Sequence, residues 1–169
     1  MVSAFAEHSG GVTSLAIYAD DAHVLSASSD RSFMCWDLRR ERRISAHTQR
    51  AGGINALAIS RDQSLVLTVG KERRLQLWDI REAAPVQSFG PVHGAAGEGT
   101  TVAAAHARDV VVTGGTDGLV RLWDLRAGKP VADCVGHSGR VAKLAWSPDD
   151  RQIASVGADG AVLLWNVFV

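Results

Sequence analysis

Residues 113–124 decide the fold, and they read Thr113-Gly-Gly-Thr-Asp117-Gly-Leu-Val-Arg-Leu-Trp123-Asp124. This stretch joins a turn rich in Gly, Thr and Asp to a short alternating run that ends in Trp. The same kind of stretch returns along the chain at spacings of 42, 45 and 42 residues, with its Trp at Trp36, Trp78, Trp123 and Trp165. A period of this length indicates one supersecondary unit copied four times.

Residues of the same type recur at three further positions, each at a constant or nearly constant spacing from the Trp of its unit. An acid stands six residues before each Trp, at Asp30, Glu72, Asp117 and Asp159. A hydroxyl stands four residues before each acid, at Ser26, Thr68, Thr113 and Ser155. A histidine stands 28 to 31 residues before each Trp, at His8, His47, His93 and His137. Because only the histidine drifts, a loop of variable length is expected between it and the rest of the unit.

Short apolar runs bounded by turn residues fill each unit. In the last unit they are Val141–Trp146, Gln152–Val156 and Ala161–Trp165, and Pro130–Val135 precedes them. The runs are four to seven residues long, and no stretch carries a sustained helical period. Each unit therefore predicts four short antiparallel strands. The repeats fall at approximately 1–38, 39–80, 81–125 and 126–169.

The motifs resemble the WD-repeat (β-propeller) family over essentially the whole chain. They include the sequences that begin at His137 (His-Ser-Gly), Trp146 (Trp-Ser-Pro-Asp-Asp), Ala154 (Ala-Ser-Val-Gly-Ala-Asp-Gly) and Leu163 (Leu-Leu-Trp-Asn). The resemblance implies an all-β protein with WD40-type propeller blades, four of them, each a four-stranded antiparallel sheet. It also implies that the histidine, hydroxyl, acid and Trp of a unit form a hydrogen-bonded structural network. Glu72 departs from the usual Asp, and a Gly-rich insertion separates His93 from its strand.

In the family, a sequence repeat supplies the outer strand of one blade and the inner three strands of the next. Val2–Ala6 is therefore expected to be an outer strand, and the last blade is expected to lack one. Family members usually have about seven blades, although propellers range from four to eight. Four arrangements are open: a closed four-bladed ring, the carboxy-terminal part of a longer and larger propeller, two chains with eight blades, or blades supplied by another protein.

The sequence predicts no catalytic residue, cofactor site or metal site. A Ser-His-Asp set resembles a hydrolase triad, but here it recurs four times in step with Trp, as a structural network would. Gly94–Thr100 resembles a phosphate-binding loop, yet a strand-like run follows it and it has no Lys. His23 and His106 have no Cys or His at ligand spacing. The chain is therefore expected not to be an enzyme.

Bulk properties narrow the partners and the location. The 169 residues carry 18 Lys plus Arg and 18 Asp plus Glu, a balance that favours neither nucleic acid nor a membrane surface. No run of 18 apolar residues and no signal-peptide pattern are present. Cys35 and Cys134 are expected to be buried free thiols, which suits a reducing compartment. We therefore expect a cytoplasmic protein, with the cilium or flagellum as a more specific location.

Three basic surfaces are candidates for binding partners. The densest charge cluster is Arg39–Arg43, expected on the bottom face of the disc as either an acid-binding segment or a solvated turn. Trp-Asp-x-Arg occurs three times and ends at Arg39, Arg81 and Arg126, a pattern of propellers that act as cullin ubiquitin-ligase receptors. The loops of the opposite, top face present Arg31, Arg50, Lys71, Arg73, Arg74 and Arg140, which would suit an acidic peptide or protein tail.

These features favour a non-enzymatic scaffold for protein–protein interactions. The last repeat resembles the closing repeats of large flagellar and ciliary WD-repeat proteins, which implies a role in an axoneme or transport assembly. The alternative is the substrate receptor of a cullin-type ubiquitin ligase. The partners are expected to be other proteins, axonemal or tubulin-associated in the specific form of the hypothesis, with self-association or further blades also open.

Overall fold

The first blade is an antiparallel sheet of four strands in chain order. The computed structural model describes residues 4–95 and 97–168, and its first strands are β1 (Val12–Ile17), β2 (His23–Ser28), β3 (Ser32–Asp37) and β4 (Arg42–Thr48). Tight turns connect them, and Arg31 takes the left-handed conformation in the β2–β3 turn. Strand β1 carries a bulge between Val12 and Ser14.

Three more sheets repeat this arrangement, so the prediction of all-β WD-like blades is confirmed. The second sheet comprises β5 (Ile54–Ile59), β6 (Val66–Gly70), β7 (Leu75–Trp78) and β8 (Gln87–Phe89). The third comprises β9 (Gly99–Ala104), β10 (Val110–Gly115), β11 (Leu119–Asp124) and β12 (Lys129–Val135). The fourth comprises β13 (Val141–Trp146), β14 (Gln152–Gly157) and β15 (Val162–Asn166), three strands within the described residues.

Blades and sequence repeats are offset by one strand. Strand β4 follows the first Trp-Asp yet forms the outer edge of the first sheet, paired with β3. Strands β8 and β12 close the second and third sheets in the same way. The expected outer strand Val2–Ala6 does not appear: Val2 and Ser3 lie outside the described residues, and Ala4–Ala6 form no strand. Instead, the ring of Phe5 lies 5.0 Å from that of Trp36.

The core is a series of apolar layers between neighbouring blades. Trp78 packs against Leu25 and Phe33 of the first blade, and Trp123 packs in the cluster that contains Leu75 and Leu77 of the second. Trp165 lies against the cluster that joins Val120 of the third blade to the fourth. Stacking therefore buries the faces that a single sheet would expose to water, and this burial is the main stabilising term of the fold.

The two end blades each leave one face uncovered. Leu164 on the fourth blade is 67% exposed, whereas the equivalent Leu122 on the third blade is 4% exposed. Leu15 on the first blade is 65% exposed, and the equivalent Leu57 on the second is 5% exposed. The four described sheets therefore form an open arc, because a closed four-bladed ring would bury both of these positions.

A second set of contacts joins the blades at the end of the sheets opposite the β2–β3 turns. The buried carboxylate of Asp150, in the β13–β14 turn, accepts hydrogen bonds from the backbone N–H groups of His106 and Ala107 in the third blade. The Nδ1 atom of His106 lies 2.9 Å from the same carboxylate. Gln63, at the equivalent turn position of the second blade, accepts a hydrogen bond from the backbone N–H of Ala19. One residue of this turn therefore fastens its blade to the preceding one.

Candidate functional site

The predicted histidine networks contain a continuous chain of hydrogen bonds in the fourth blade. Trp165 Nε1 donates to Ser155 Oγ at 2.8 Å, and Ser155 Oγ lies 2.8 Å from His137 Nε2. His137 Nδ1 lies 3.0 Å from Asp159 Oδ2. The indole N–H can only donate and the carboxylate accepts from Nδ1–H, so a hydroxyl proton donated to Nε2 completes the chain. The chain of hydrogen bonds then runs in one direction, from Trp165 to Asp159.

The first and third blades contain the same chain. His8 Nε2 lies 2.7 Å from Ser26 Oγ, and His8 Nδ1 lies 2.9 Å from Asp30 Oδ2. Trp36 Nε1 donates to Ser26 Oγ at 2.7 Å. In the third blade, the His93 distances are 3.1 Å to Thr113 Oγ1 and 2.9 Å to Asp117 Oδ1, and Trp123 Nε1 donates to Thr113 at 2.9 Å. The structure thus brings together all four predicted residues in three of the blades.

Burial and hydrogen bonding shift the pKa values of two acids and one histidine of these networks. Burial raises the pKa of Asp30, but hydrogen bonds from Ser32, His8 and Ser9 outweigh it and hold that pKa below its ordinary value. The backbone N–H of Ala161 is the largest of several hydrogen bonds that lower the pKa of Asp159 to about 2. Burial lowers the pKa of His93, and the nearby carboxylate of Asp117 offsets only part of this.

The second blade lacks this chain, and the placement of His47 in it is corrected. Trp78 Nε1 donates to Thr68 Oγ1 at 3.0 Å, as in the other blades. His47, however, lies within the outer strand β4, with its Nε2 3.1 Å from Ser45 Oγ and its ring stacked on Phe33 at 4.8 Å. Glu72 accepts a hydrogen bond from Gln76 Nε2 at 3.1 Å. His47 and Glu72 are therefore not joined through Thr68.

Strand register explains the displacement of His47. His47 pairs with Phe33, and Cys134 pairs with Val120, where Phe33 and Val120 each stand three residues before their Trp. His47 is therefore equivalent to Cys134, three residues short of the position that His137 occupies. Arg50 holds that position, 28 residues before Trp78, the same spacing that separates His8 and His137 from their Trp residues. Retaining that spacing would have identified Arg50 from the sequence.

The networks are built for structure. Ser155 is 1% exposed and lies between Trp165 Nε1 and His137 Nε2, so a substrate has no room beside its hydroxyl. The Gly94–Thr100 segment leads into β9, a strand and not the helix that a phosphate-binding loop requires. In the described ranges, no three His, Cys, Asp or Glu side chains are grouped as a metal site would need, and no helix could span a membrane.

Two glycines that the sequence analysis did not single out complete the networks. A Cβ atom at Gly157 would lie 2.4 Å from His137 Nδ1, and one at Gly115 would lie 2.3 Å from His93 Nδ1. Both glycines stand eight residues before their Trp, as Gly70 does in the second blade. In the third and fourth blades the glycine leaves the space that the imidazole ring occupies, whereas the first blade carries Ser28 at this position beside the network of His8.

Loops at one end of the sheets form a shared top face. In every blade, the loop before the first strand accepts a hydrogen bond from the β2–β3 turn or its equivalent. The donor and acceptor pairs are Ser29 to Gly11, Lys71 to Gly53, Thr116 to Glu98, and Ala158 to Arg140. A Cβ at Gly53 would lie 2.9 Å from Ser29 O, so the loops of neighbouring blades also meet here. The six predicted top-face basic residues all lie on these loops and are exposed.

The top face is most basic over the first two blades. Their loops carry Arg31, Arg50, Lys71, Arg73 and Arg74 against two acids, Asp30 and Glu72. The carboxylate of Asp30 is hydrogen-bonded to His8, and that of Glu72 is hydrogen-bonded to Gln76. Arg73 donates to the carbonyl oxygen of Ala95, while the other four side chains have no hydrogen bond or ion pair in the described part of the chain. Their charge is therefore available to a partner.

The Trp-Asp-x-Arg arginines lie on the opposite, bottom face and differ in their contacts. Arg81 Nε donates to Asp79 Oδ1 at 2.9 Å, and Arg126 Nε donates to Asp109 Oδ2 at 2.6 Å. Arg39 makes no side-chain ion pair within the described residues. In the neighbouring basic cluster, Arg43 pairs with Glu7, and Arg40 Nε lies 3.8 Å from Asp37 Oδ2. Two of the three arginines are thus already engaged by surface carboxylates of this chain.

The family comparison agrees with the blades and networks just described. The model of the WD domain, G-beta repeat, matches residues 1–37, 39–79, 95–124 and 128–166. The chain belongs to the WD40 repeat family. Among curated proteins, a segment of Protein FIZZY-RELATED 3 from Arabidopsis thaliana is 50% identical over 36 residues, which is 21% of this chain. The match spans 8% of the length of that protein. WD40 repeats imply a scaffold for protein interactions, and such proteins are typically non-enzymatic.

Proposed function

We propose that this chain is a docking platform that recognises an acidic segment of a partner protein through its top face. The concentration of exposed, unpaired basic side chains over the first two blades carries the proposal. Several like charges held close together by rigid turns raise the local potential and speed the encounter with an acidic partner. The loops are fixed by the repeated backbone hydrogen bonds, so the charges need little ordering when the partner binds.

The direct test is the binding of a short fluorescein-labelled polyglutamate peptide, measured by fluorescence anisotropy. We expect saturable binding that weakens as salt rises from about 0.05 to about 0.5 M, because the contacts are exposed and screened. A polylysine peptide of the same length is the matched probe control. The triple variant Arg31→Glu, Lys71→Glu and Arg73→Glu should abolish binding with an unchanged melting temperature. Absence of polyglutamate binding to the unmodified chain rules the function out.

A role in an axonemal or transport assembly is the more specific form of this proposal. It rests on the likeness of the last repeat to the closing repeats of large ciliary and flagellar WD-repeat proteins. It places the protein in the cytoplasm and in the cilium or flagellum. Affinity capture from axonemal extract, with tubulin measured in the eluate, provides the test. Equal tubulin recovery by the unmodified chain and the triple charge-reversal variant would contradict this form of the proposal.

The ubiquitin-ligase receptor is a second candidate, favoured by three copies of Trp-Asp-x-Arg. The ion pairs of Arg81 and Arg126 weaken this candidate, because an adaptor would have to displace Asp79 and Asp109. The receptor function predicts binding of a cullin adaptor that is lost in the double variant Arg81→Ala and Arg126→Ala, with the melting temperature unchanged. A lack of adaptor binding by the unmodified chain eliminates this candidate.

A further inference from the structure

A cleft of about 500 Å³ lies beside the position where the second blade lacks its histidine. Thr48 and Arg50, at the end of β4 and in the loop after it, line one side. Glu72, Arg74 and Gln76, from the β6–β7 turn and β7, line the other, with Trp78 beyond them. The cleft therefore lies between the first and second blades and begins at the basic part of the top face.

In the third blade, the polar groups at the equivalent positions have hydrogen-bond partners within the chain. Arg121 stands two residues before Trp123, as Gln76 stands two residues before Trp78. Arg121 donates to the carbonyl oxygen of Val92 and, at 2.8 Å, to Asp133 Oδ1. The ring of His93 is fully buried beside it. The second blade has no histidine and no such arginine here, so its polar groups lack these internal partners.

Gln76 is the group that the chain leaves unsatisfied. Its side chain is 5% exposed, and its Oε1 is the one buried side-chain polar atom in the described residues without a hydrogen-bond partner. Its Nε2 donates to Glu72, so Oε1 is the atom left without a partner, and Gln76 is one of the residues that line the cleft. A buried acceptor without a partner is unfavourable, so an occupant that donates a hydrogen bond here recovers free energy.

The charges around Gln76 define the rest of the occupant. Arg50 and Arg74 are exposed at the rim and make no side-chain hydrogen bond or ion pair with other described residues. Glu72 is the one acid in the cleft lining, and burial raises its pKa while Arg74 and Arg50 act in the opposite direction. Two guanidinium groups and one carboxyl leave a positive excess, which a single carboxylate would balance.

We propose that this cleft receives one acidic residue of an extended partner segment, with Arg50 and Arg74 binding its carboxylate and Gln76 Oε1 accepting a hydrogen bond from its backbone N–H. A peptide supplies both groups on one residue, whereas a free anion supplies no donor. The inference rests on the proposed function, because it names the pocket within the basic face that recognises the acidic segment.

The blocked amino acid N-acetylglutamate N-methylamide is the probe, titrated into the 15N-labelled full chain and followed by NMR. We expect saturable shifts of the Gln76 side-chain amide and of the Trp78 indole N–H. N-acetylglutamine N-methylamide has the same shape and backbone groups without the charge, and acetate has the charge without the N–H. Both should bind at least about tenfold more weakly, since each lacks one of the two interactions.

Variants then separate this pocket from the rest of the face. Gln76→Met keeps the side-chain length and removes the acceptor, and Arg50→Ala with Arg74→Ala removes the cations. Each should weaken both the probe and the polyglutamate peptide about tenfold. Lys129→Ala, on the third blade away from the cleft and from the basic part of the top face, is the control and should change probe affinity less than about twofold. Thermal melts establish that every variant is folded.

The outcomes distinguish this inference from the proposed function. Polyglutamate binding that the cleft variants weaken no more than Lys129→Ala does would overturn the pocket and leave the basic face as the binding surface. Probe shifts confined to residues outside the cleft would overturn it in the same way. If polyglutamate does not bind at all, the proposed function itself fails.

Discussion

At the scale of single residues, the hydroxyl at the centre of each network has the most constrained position. Ser155 is buried between Trp165 and His137, and it serves one as acceptor and the other as donor. Removing this hydroxyl leaves an indole N–H and an imidazole nitrogen without a hydrogen-bond partner in a site that water does not reach. The stability of the blade therefore depends on a side chain that contributes almost no apolar area.

The first prediction concerns Ser155→Ala. We expect the free energy of unfolding to fall by about 1–3 kcal/mol, because two buried partners lose a hydrogen bond at once. Chemical denaturation followed by tryptophan fluorescence measures this change. Ser138→Ala is the matched control, since the Ser138 side chain is exposed and its hydrogen bond to Asp159 uses the backbone N–H. Equal losses for the two variants would contradict the structural role of Ser155.

The second prediction concerns the pH dependence of stability. The pKa of His93 is lowered in the folded state by burial, from an ordinary value of 6.5, and the pKa of His47 is lowered for the same reason. Well above pH 6.5, both residues are neutral in either state, and neither lowers the stability of the fold. Below it, the unfolded chain binds protons that the folded chain resists, so stability falls as pH falls.

Denaturation at several pH values between about 7.5 and 5 measures this slope, which is limited to about 1.4 kcal/mol per pH unit for each histidine. In His93→Gln the slope should be shallower, whatever the absolute stability of the variant. A slope that His93→Gln leaves unchanged would show that His93 takes up its proton equally well in the folded chain.

Most network residues could be predicted from the sequence because their strands keep a constant length. Ser155, Asp159 and Trp165 lie on one hairpin, so their spacing cannot change without breaking the ladder. The assignment of His47 to a network was wrong because it relied on residue type alone. Strand register places Arg50 at the network position instead. The cleft beside Gln76 could not be predicted, because it depends on how the first and second blades pack together and on the absence of a histidine at this position.

At the scale of elements, the turn between the first two strands of a blade holds that blade to its neighbour. Asp21, Gln63 and Asp150 occupy the same turn position, and all three take a left-handed conformation with φ of 51–58°. Asp150 and Gln63 bind backbone N–H groups of the preceding blade. No described blade precedes the first, so Asp21 makes no such contact and is exposed.

The third prediction uses this equivalence. Asp150→Ala should lower the free energy of unfolding by about 1–3 kcal/mol more than Asp21→Ala does. Both variants place Ala in the same strained turn, so the difference between them isolates the bonds to His106 and Ala107. Urea denaturation of the two variants in parallel provides the measurement. Matching losses would show that the turn conformation, and not the contact between blades, is what Asp150 stabilises.

The apolar runs of the sequence predicted where a strand begins and ends wherever that run had a partner strand in the sheet. The expected Gln152–Val156 run corresponds to β14, which continues one residue further to Gly157. The expected Val2–Ala6 strand failed in its described part, Ala4–Ala6, because no neighbouring strand offers it a ladder. An apolar pattern alone does not make a strand, since its backbone groups must also be paired.

At the scale of the whole molecule, the exposed end faces dominate the expected behaviour in solution. Leu164 and Val162 on the fourth blade occupy positions that are buried in every other blade. Val12 and Leu15 on the first blade are exposed where their equivalents in later blades are covered. The two faces are the two halves of the interface that joins neighbouring blades inside the arc.

The fourth prediction is that the isolated chain self-associates through these faces. Head-to-tail contact between two copies would reproduce the internal blade interface and give eight blades. Light scattering should therefore give a mass about twice the 17.9 kDa of the chain. Leu164→Lys should shift the mass toward that of one chain, while Val131→Lys, at an exposed position on the outer strand of the third blade, should not. A stable monomer with a cooperative melt would contradict this prediction.

The one-strand offset between repeats and blades also governs how this protein can be cut and recombined. A break at a repeat boundary, such as that between Trp78 and β8, strips the last strand from the blade behind it and leaves a surplus strand ahead. A break in the top-face loop before β5 or β9 separates intact sheets. Duplications, deletions or engineered changes that add or remove blades should therefore tolerate junctions in those loops. Junctions at the repeat boundary after the recurring Trp should be tolerated less well.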